Sequence, residues 1–282
     1  MQTLNCRGKL LVLEQPVVMG ILNITADSFY AGSRQGSVDK ALETAAQMLA
    51  EGATVLDIGG QSTRPGAVQV SASDEIQRVV PVITAIRQAF PDAFLSVDTY
   101  HAEVAKAAVE AGAVIVNDIS GGIFDESMLE IVAALQTPYV CMHVRGTPAT
   151  MHAPMAKRSG LQVILDDLLR NVAACRQAGI KDIILDPGFG FSKQSAENLA
   201  LVEGLDAFTH FGMPVLLGVS RKSTIYRTLG ISPEEALNGT TVLHTIGLLK
   251  GAGILRAHDV KQAVECIRLV IALKKSGDPR VS

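Results

Sequence analysis

Tryptophan is absent from the chain, and aromatic residues make up only 4% of it. A core must therefore be filled by aliphatic side chains and alanine. Of the 282 residues, 48% are hydrophobic, enough for a large interior. Strong charge of either sign is also missing. A formal net charge of −3 gives no electrostatic reason to expect nucleic acid or an anionic membrane surface as a partner, although a cleft can still concentrate positive charge. No apolar stretch approaches the roughly 20 residues of a membrane span. The opening MQTLNCRGKLLVLEQP has neither an apolar leader segment nor a cleavage-type site. Cysteine is sparse, and Cys6, Cys141, Cys175 and Cys266 form no CxxC pair and no zinc-like spacing. These absences predict a soluble, cytoplasmic protein with reduced core thiols. There is no Pro/Ser linker and no low-complexity tract, so residues 1–282 read as one domain.

What the chain does have is a repeating rhythm. Short runs rich in Val, Ile and Leu recur at 17–22, 54–58, 94–97, 114–118, 139–143, 182–186, 214–218 and 253–257. Between them lie segments of helical periodicity, among them VDKALETAAQMLAEG, DEIQRVVPVITAIRQAF, AEVAKAAVEAG and LQVILDDLLRNVAACRQAG, several ending at a glycine suited to a left-handed cap. Continuously apolar strands are buried on both faces, which means parallel strands covered by helices. Eight of them alternating with helices predict an α/β fold, a (β/α)8 TIM barrel, with NCRGKLLVL as a short N-terminal β-hairpin plugging one end. A doubly wound open sheet is the other arrangement, but no GxGxxG opens a helix after the first strand.

In such a barrel the chemistry sits at the carboxyl ends of the strands. Those ends carry Asn23, Asp57, Asp98, Asn117, His143, Asp186, Ser220 with Arg221 and Lys222, and Arg256 with His258. Asp, Asn and Ser often do no more than cap turns and helices, but capping does not call for Lys, Arg and His as well. Asp98, Asn117 and Asp186 form a hydrogen-bonding set able to read a flat heterocycle with several N–H donors, and Lys222 can donate to its carbonyl or ring nitrogen. Asn23, Thr63, Arg64, Arg256 and His258 are donors suited to phosphate oxygens. ILRAHDV opens directly into the helix KQAVECIRLVIALKK, whose N-terminus is a further anion site. Phe189 and Phe191 interrupt the glycine-rich DPGFGF, where one or both can stack on a ring, core packing being the other reading for Phe189. Two long polar loops, from Asn23 to about Gly36 and from Gly59 to about Ser73, would flank the mouth as lids.

MGILNITADSF, LDIGGQSTRPGA, SVDT, VNDISGG, ILDPGFGF, GVSRKS and ILRAHDV resemble, in order, the motifs of the dihydropteroate synthase family, and they spread from residue 19 to residue 260. Seven ordered motifs make the resemblance specific. It implies a pterin-binding barrel that joins 6-hydroxymethyl-7,8-dihydropterin diphosphate to p-aminobenzoate, with release of diphosphate. It further implies a Mg²⁺ requirement and a homodimer, with no nucleic acid or membrane partner. By the same motifs Asp98, Asn117, Asp186 and Lys222 resemble the pterin-binding set. Asn23, Arg256 and His258 resemble the diphosphate set, Asn23 also lying near the metal. Thr63, Arg64, Pro65, Phe191 and Ser223 resemble the p-aminobenzoate side, where sulfonamides compete. Asp57 would support the pterin pocket or the position of the second loop, and His143 would be structural. A weakly basic aromatic amine and a leaving group next to a conjugated pterin imply an SN1-like path, with Lys222, Arg256, Asp98 and Asp186 as the catalytic set.

The chain departs from the family at Ala26, where Pro is usual, at Tyr30-Ala31-Gly32, where D-G-G is common, and at Gln61, where Glu is common. These changes bear on loop closure, metal affinity and sulfonamide response. Two other readings keep the barrel: a catalytically altered pterin-binding paralogue, and a pterin-dependent methyltransferase. The methyltransferase has no leaving diphosphate and leaves STRP, SRKS and RAHD unexplained. Diphosphate release with both substrates present separates the three.

Overall fold

The computed structural model describes residues 2–24, 34–62, 69–153 and 160–276. The chain opens with an antiparallel hairpin, β1 (Gln2–Cys6) and β2 (Lys9–Leu13), paired from Gln2↔Leu13 to Cys6↔Lys9. Its tight turn is Arg7-Gly8, both with positive φ, the backbone that matches the twist of the flanking strands.

Eight parallel strands follow: β3 (Val17–Asn23), β4 (Val55–Gly59), β5 (Phe94–Asp98), β6 (Ile115–Asp118), β7 (Tyr139–Met142), β8 (Ile183–Asp186), β9 (Leu216–Leu217) and β10 (Ile254–Ala257). Their order is β8-β7-β6-β5-β4-β3-β10-β9. The remaining seam closes through a parallel bridge, Leu185↔Val215, and the hydrogen bond from Leu185 N to Pro214 O at 2.8 Å. The fold is thus the expected TIM barrel. The segment expected as a strand over 214–218 forms regular strand only at Leu216–Leu217. Pro214 has no N–H to donate to the ladder, which restricts pairing there.

Helices cover the barrel: α1 (Arg34–Ala50), α2 (Ala72–Ala89), α3 (Ala102–Ala111), α4 (Met128–Leu135), α5 (Leu161–Ala178), α6 (Ser195–Glu203), α7 (Asp206–Thr209), α8 (Ser223–Leu229), α9 (Leu237–Leu249) and α10 (Val260–Ser276). Ser71 caps α2, its hydroxyl accepting from Asp74 N at 3.1 Å. The main core lies between strands and helices and is almost wholly aliphatic, as the missing tryptophan requires. A second cluster joins Leu4, Cys6, Leu11 and Leu13 of the hairpin to Met19, Val55, Ile115, Val140, Ile184, Leu216 and Ile254 near the strand starts. The hairpin therefore plugs the amino-terminal end, leaving the opposite end for chemistry.

Candidate active site

The carboxyl ends of the strands bring the polar residues to one mouth. Strand register sets a row across four strands, Asn23↔Gly59, Gly59↔Asp98 and Asp98↔Asn117. Residues in one row point to the same side, here the barrel interior. Gly59 leaves room within the row, because a Cβ there would sit 3.4 Å from Asp98 Cβ and 3.5 Å from Asn23 Oδ1.

Arg256, from β10, reaches across this row. Its Nε donates to Asp57 Oδ2 at 2.6 Å, and its Nη2 to Asp98 Oδ2 at 2.5 Å. Asn117 Nδ2 donates to the same Asp57 oxygen at 2.8 Å. Asp57 is fully buried and orders both the arginine and the amide. Burial works against the Arg256 charge, but the Asp57 and Asp98 carboxylates outweigh it and hold its pKa above the ordinary range. Burial raises the pKa of Asp98, with Arg256 opposing and Asp57 and Asp118 adding to the rise. It raises that of Asp186 too, opposed by Lys222 and by the Gly188 N–H, which donates to Asp186 Oδ1 at 2.7 Å.

Lys222 stands at the start of α8. Its ammonium donates to Phe189 O and lies 4.5 Å from the centre of the Phe191 ring. Burial lowers its pKa to about 8, against the pull of Asp186 and Asp98. Of the two phenylalanines, Phe189 belongs to the main core, while Phe191 joins Tyr100, Ile119, Met142, Val144 and Met151 at the mouth. His258 Nδ1 lies 3.1 Å from Ser220 Oγ, and Ser223 is the first residue of α8. Arg221 faces elsewhere, gripping Asp259 with Nε at 2.8 Å and Nη2 at 2.9 Å. His143 is structural in its surroundings: burial lowers its pKa to about 3, and it sits between Lys193 and Asp167.

Thr63, Arg64 and Pro65 lie outside the described residues, as do Ala26, Tyr30, Ala31 and Gly32. Among the described residues no group of three or more His, Cys, Asp or Glu could hold a metal ion. Mg²⁺ does not require such a cage, since it commonly takes one or two protein oxygens and completes its shell with water and substrate phosphates. The Asn23 carbonyl oxygen, a hard donor beside Asp98, fits that use.

Several groups around the mouth escape strand-end reasoning. Asp118 accepts from Tyr139 OH at 2.6 Å and from Ser120 and Gly122, fixing the turn after β6. Glu75 is buried under Gly60, where Arg78 holds the Gly60 carbonyl at 2.9 Å. Gln61 Oε1 accepts from Val70 N at 2.7 Å, joining the two roots of the second long loop. Lys193 is buried behind DPGFGF. Only a lysine two residues after that glycine-rich run signals the last in sequence; Glu75 looks like any acidic residue in a first helical turn.

The family described as pterin binding enzyme matches residues 19–258. The dihydropteroate synthase of Escherichia coli (strain K12) is 42% identical over 268 residues, 94% of either chain. Among solved structures, the Yersinia pestis dihydropteroate synthase with a sulfonamide drug complex is 41% identical with a TM-score of 0.90, over 97% of this chain and 99% of the other. The Xanthomonas albilineans dihydropteroate synthase with 4-aminobenzoic acid is 38% identical with a TM-score of 0.89, over 96% and 98%.

Proposed function

The chain belongs to the pterin binding enzyme family, and from the groups at its barrel mouth we propose how it carries out the reaction of its dihydropteroate synthase relatives. It is a transferase that joins 6-hydroxymethyl-7,8-dihydropterin diphosphate to p-aminobenzoate, giving 7,8-dihydropteroate and diphosphate. One observation carries the site reading: Arg256 bonds Asp57 and Asp98, Asn117 joins the same Asp57 oxygen, and Asp186 and Lys222 interact beside them. Carboxylates, an amide and an arginine from five strands thus converge with the lysine at the start of α8.

In this reading the pterin lies against Asp98, Asn117, Asp186 and Lys222. The buried carboxylates accept its ring N–H groups. Asn117 gives one amide N–H to Asp57 and keeps its carbonyl oxygen for the ring. Lys222 donates to the carbonyl or a ring nitrogen. Asn23, Arg256 and His258 receive the diphosphate. A guanidinium has five N–H donors, and only two of those on Arg256 meet Asp57 and Asp98. Phe191 and Ser223, with Thr63, Arg64 and Pro65 of the second loop, form the p-aminobenzoate side.

The amine of p-aminobenzoate is a weak nucleophile, and the carbon it attacks is conjugated to an electron-rich ring. Departure of diphosphate ahead of attack leaves a cation delocalised into the pterin. Asp98 and Asp186 favour that cation, while Arg256 and His258 take up the charge growing on the leaving group. Mg²⁺ held by Asn23 would supply further neutralisation of the diphosphate. Removing one such contact costs about 2–4 kcal/mol in the transition state. Lys222→Ala is therefore expected to lower kcat/KM by about 30- to 1,000-fold, and a variant with normal turnover would remove Lys222 from the site.

The enzyme works in the cytoplasm, where its four buried, unpaired cysteines stay reduced. It works as a homodimer through the exposed apolar residues of α8 to α10. The deciding experiment incubates the purified protein with both substrates and Mg²⁺. Dihydropteroate and diphosphate should appear in equal amounts, with a sulfonamide competing against p-aminobenzoate. Pterin binding without diphosphate release would instead indicate a silent paralogue.

A further inference from the structure

Lys193 is a buried lysine that the reaction above does not use. Its Nζ lies 2.9 Å from His143 Nδ1, 2.9 Å from Gly188 O and 3.2 Å from Phe191 O. His143 O is a fourth acceptor at 3.4 Å, so an ammonium with three N–H donors is surrounded by four acceptors. His143 is held from its other side, its Nε2 standing 3.1 Å from Asp167 Oδ2 on α5. Burial keeps His143 neutral, and the Asp167 carboxylate selects the tautomer with the proton on Nε2. Nδ1 is then a pure acceptor facing Lys193. Arg145 completes the support, donating to Asp167 from Nε at 2.7 Å and from Nη2 at 2.5 Å.

What this chain of groups grips is the segment from Asp186 to Phe191. Gly188 passes so close to the end of β7 that a Cβ there would lie 1.9 Å from His143 O and 3.2 Å from Lys193 Nζ. Two of the carbonyls on Lys193, Gly188 O and Phe191 O, belong to that segment, and the third, His143 O, follows β7. At one end Gly188 N holds the Asp186 carboxylate; at the other stands Phe191, with Lys222 over its ring. Lys222 also takes the carbonyl between them, that of Phe189. One lysine faces the mouth and the other closes the back, with the glycine-rich turn between them. Burial disfavours the Lys193 charge, and Lys222 and Arg145 add to that; Asp186 and Glu197 oppose it. Burial prevails and brings the Lys193 pKa down to about 7; the charged form is the one that offers a third N–H to the acceptors around it.

We propose that Lys193, backed by His143 and Asp167, is a positioning residue for the pterin site, setting the turn that aims Asp186 at the pterin and carries Phe191 of the p-aminobenzoate side at its far end. This rests on the pterin reading above. A group acting through a binding turn should show mainly in ground-state affinity. Lys193→Met keeps the stem and removes all three donors. It is expected to raise KM for the pterin diphosphate about 10- to 100-fold while kcat changes less, as for a site residue displaced by about 1 Å. Asp167→Asn, on α5, removes the carboxylate charge that selects the His143 tautomer and is expected to raise the same KM about 3- to 10-fold. The double variant should be no worse than Lys193→Met alone, since both act on one chain of contacts.

The test measures steady-state kinetics together with calorimetric binding of 6-hydroxymethylpterin, for the wild type and all three variants. A wild type that binds the pterin without forming dihydropteroate would overturn the reaction and leave the positioning role measurable by calorimetry. Folded Lys193→Met with wild-type pterin affinity would overturn the positioning role. If Lys193→Met does not fold, Asp167→Asn decides: raised KM supports the role, and unchanged KM overturns it.

Discussion

Asp57 and Glu75 are both fully buried carboxyl groups beside the mouth, and their surroundings differ in kind. Asp57 Oδ2 takes Arg256 Nε at 2.6 Å and Asn117 Nδ2 at 2.8 Å. Asp57→Asn keeps the shape and removes the charge, so Arg256 must rely on Asp98 alone. Leaving a buried charge without its partner costs about 3–5 kcal/mol. Part of that should appear as lost stability and part as kcat/KM at least about tenfold lower; melting curves and kinetics check both, and wild-type values would show that neither Arg256 nor Asn117 needs this anchor. Among the described residues, Glu75 has one side-chain hydrogen bond, from the Thr99 hydroxyl to Oε2 at 3.2 Å. Burial raises its pKa from 4.5 to about 8, Thr99 and Arg78 opposing and Asp98 adding. Between those values the folded state holds a proton that the unfolded chain has released. This contribution is therefore complete below about pH 4.5 and shrinks as pH rises toward 8, by at most about 1.4 kcal/mol per pH unit. Glu75→Gln cannot ionise. Its melting temperature should vary less than that of the wild type between about pH 5 and 8, with the largest relative gain at the alkaline end; parallel profiles would mean that Glu75 ionises as an ordinary carboxyl.

The turn from Gly188 to Phe191 shows how an element turns glycine into function. Gly188 and Gly190 both have positive φ, at 71° and 86°. Their neighbours differ. A Cβ at Gly188 would strike the His143 backbone at 1.9 Å, whereas one at Gly190 would meet the Lys222 side chain at 2.9 Å from Cδ. Backbone cannot yield as a side chain can. Gly188→Ala is expected to cost about 3 kcal/mol or more in stability. Gly190→Ala should cost about 1–2 kcal/mol from φ alone and push Lys222 aside, so its loss in kcat/KM should exceed its loss in melting temperature. The reverse ranking in paired melts and assays would show that Lys222 does not pack on this turn. The elements themselves were legible in sequence, because doubly buried parallel strands are continuously apolar and their ends stand out as isolated Asp, Asn, Lys and Arg. Asn117, Asp186, Lys222 and Arg256 could be named on that ground. Lys193, Glu75 and Asp167 could not, because their importance comes from partners 50, 24 and 24 residues away, a separation that local periodicity does not encode. Arg221 stands beside Lys222 in sequence yet pairs with Asp259, since its positive φ of 52° turns the chain between the two.

At the scale of the molecule, one end of the barrel is stoppered by the hairpin and the other carries the charges, so the remaining feature to explain is the flank. Leu229 at the end of α8, Val242 and Leu249 on α9, and Leu269 and Leu273 on α10 are all exposed, the last two at 72% and 61%. Leu269 and Leu273 are one helical turn apart on the same face, and α9 packs against both α8 and α10. Single exposed apolar residues are ordinary; these five lie on three adjoining helices, and that is where the proposed homodimer would make its contact. The active-site residues all point to the barrel mouth, so an interface on this flank leaves the mouth open. If the flank is the dimer contact, Leu269→Glu with Leu273→Glu should place like charges across it and give a monomer by light scattering at micromolar concentration. The melting temperature of the wild type should rise with protein concentration, as dimerisation linked to folding requires, and that of the variant should not. The monomer should keep its pterin affinity, because every group in the slot comes from one chain. A wild type that scatters as a monomer would remove the dimer; a dimeric double variant would move the interface to another face.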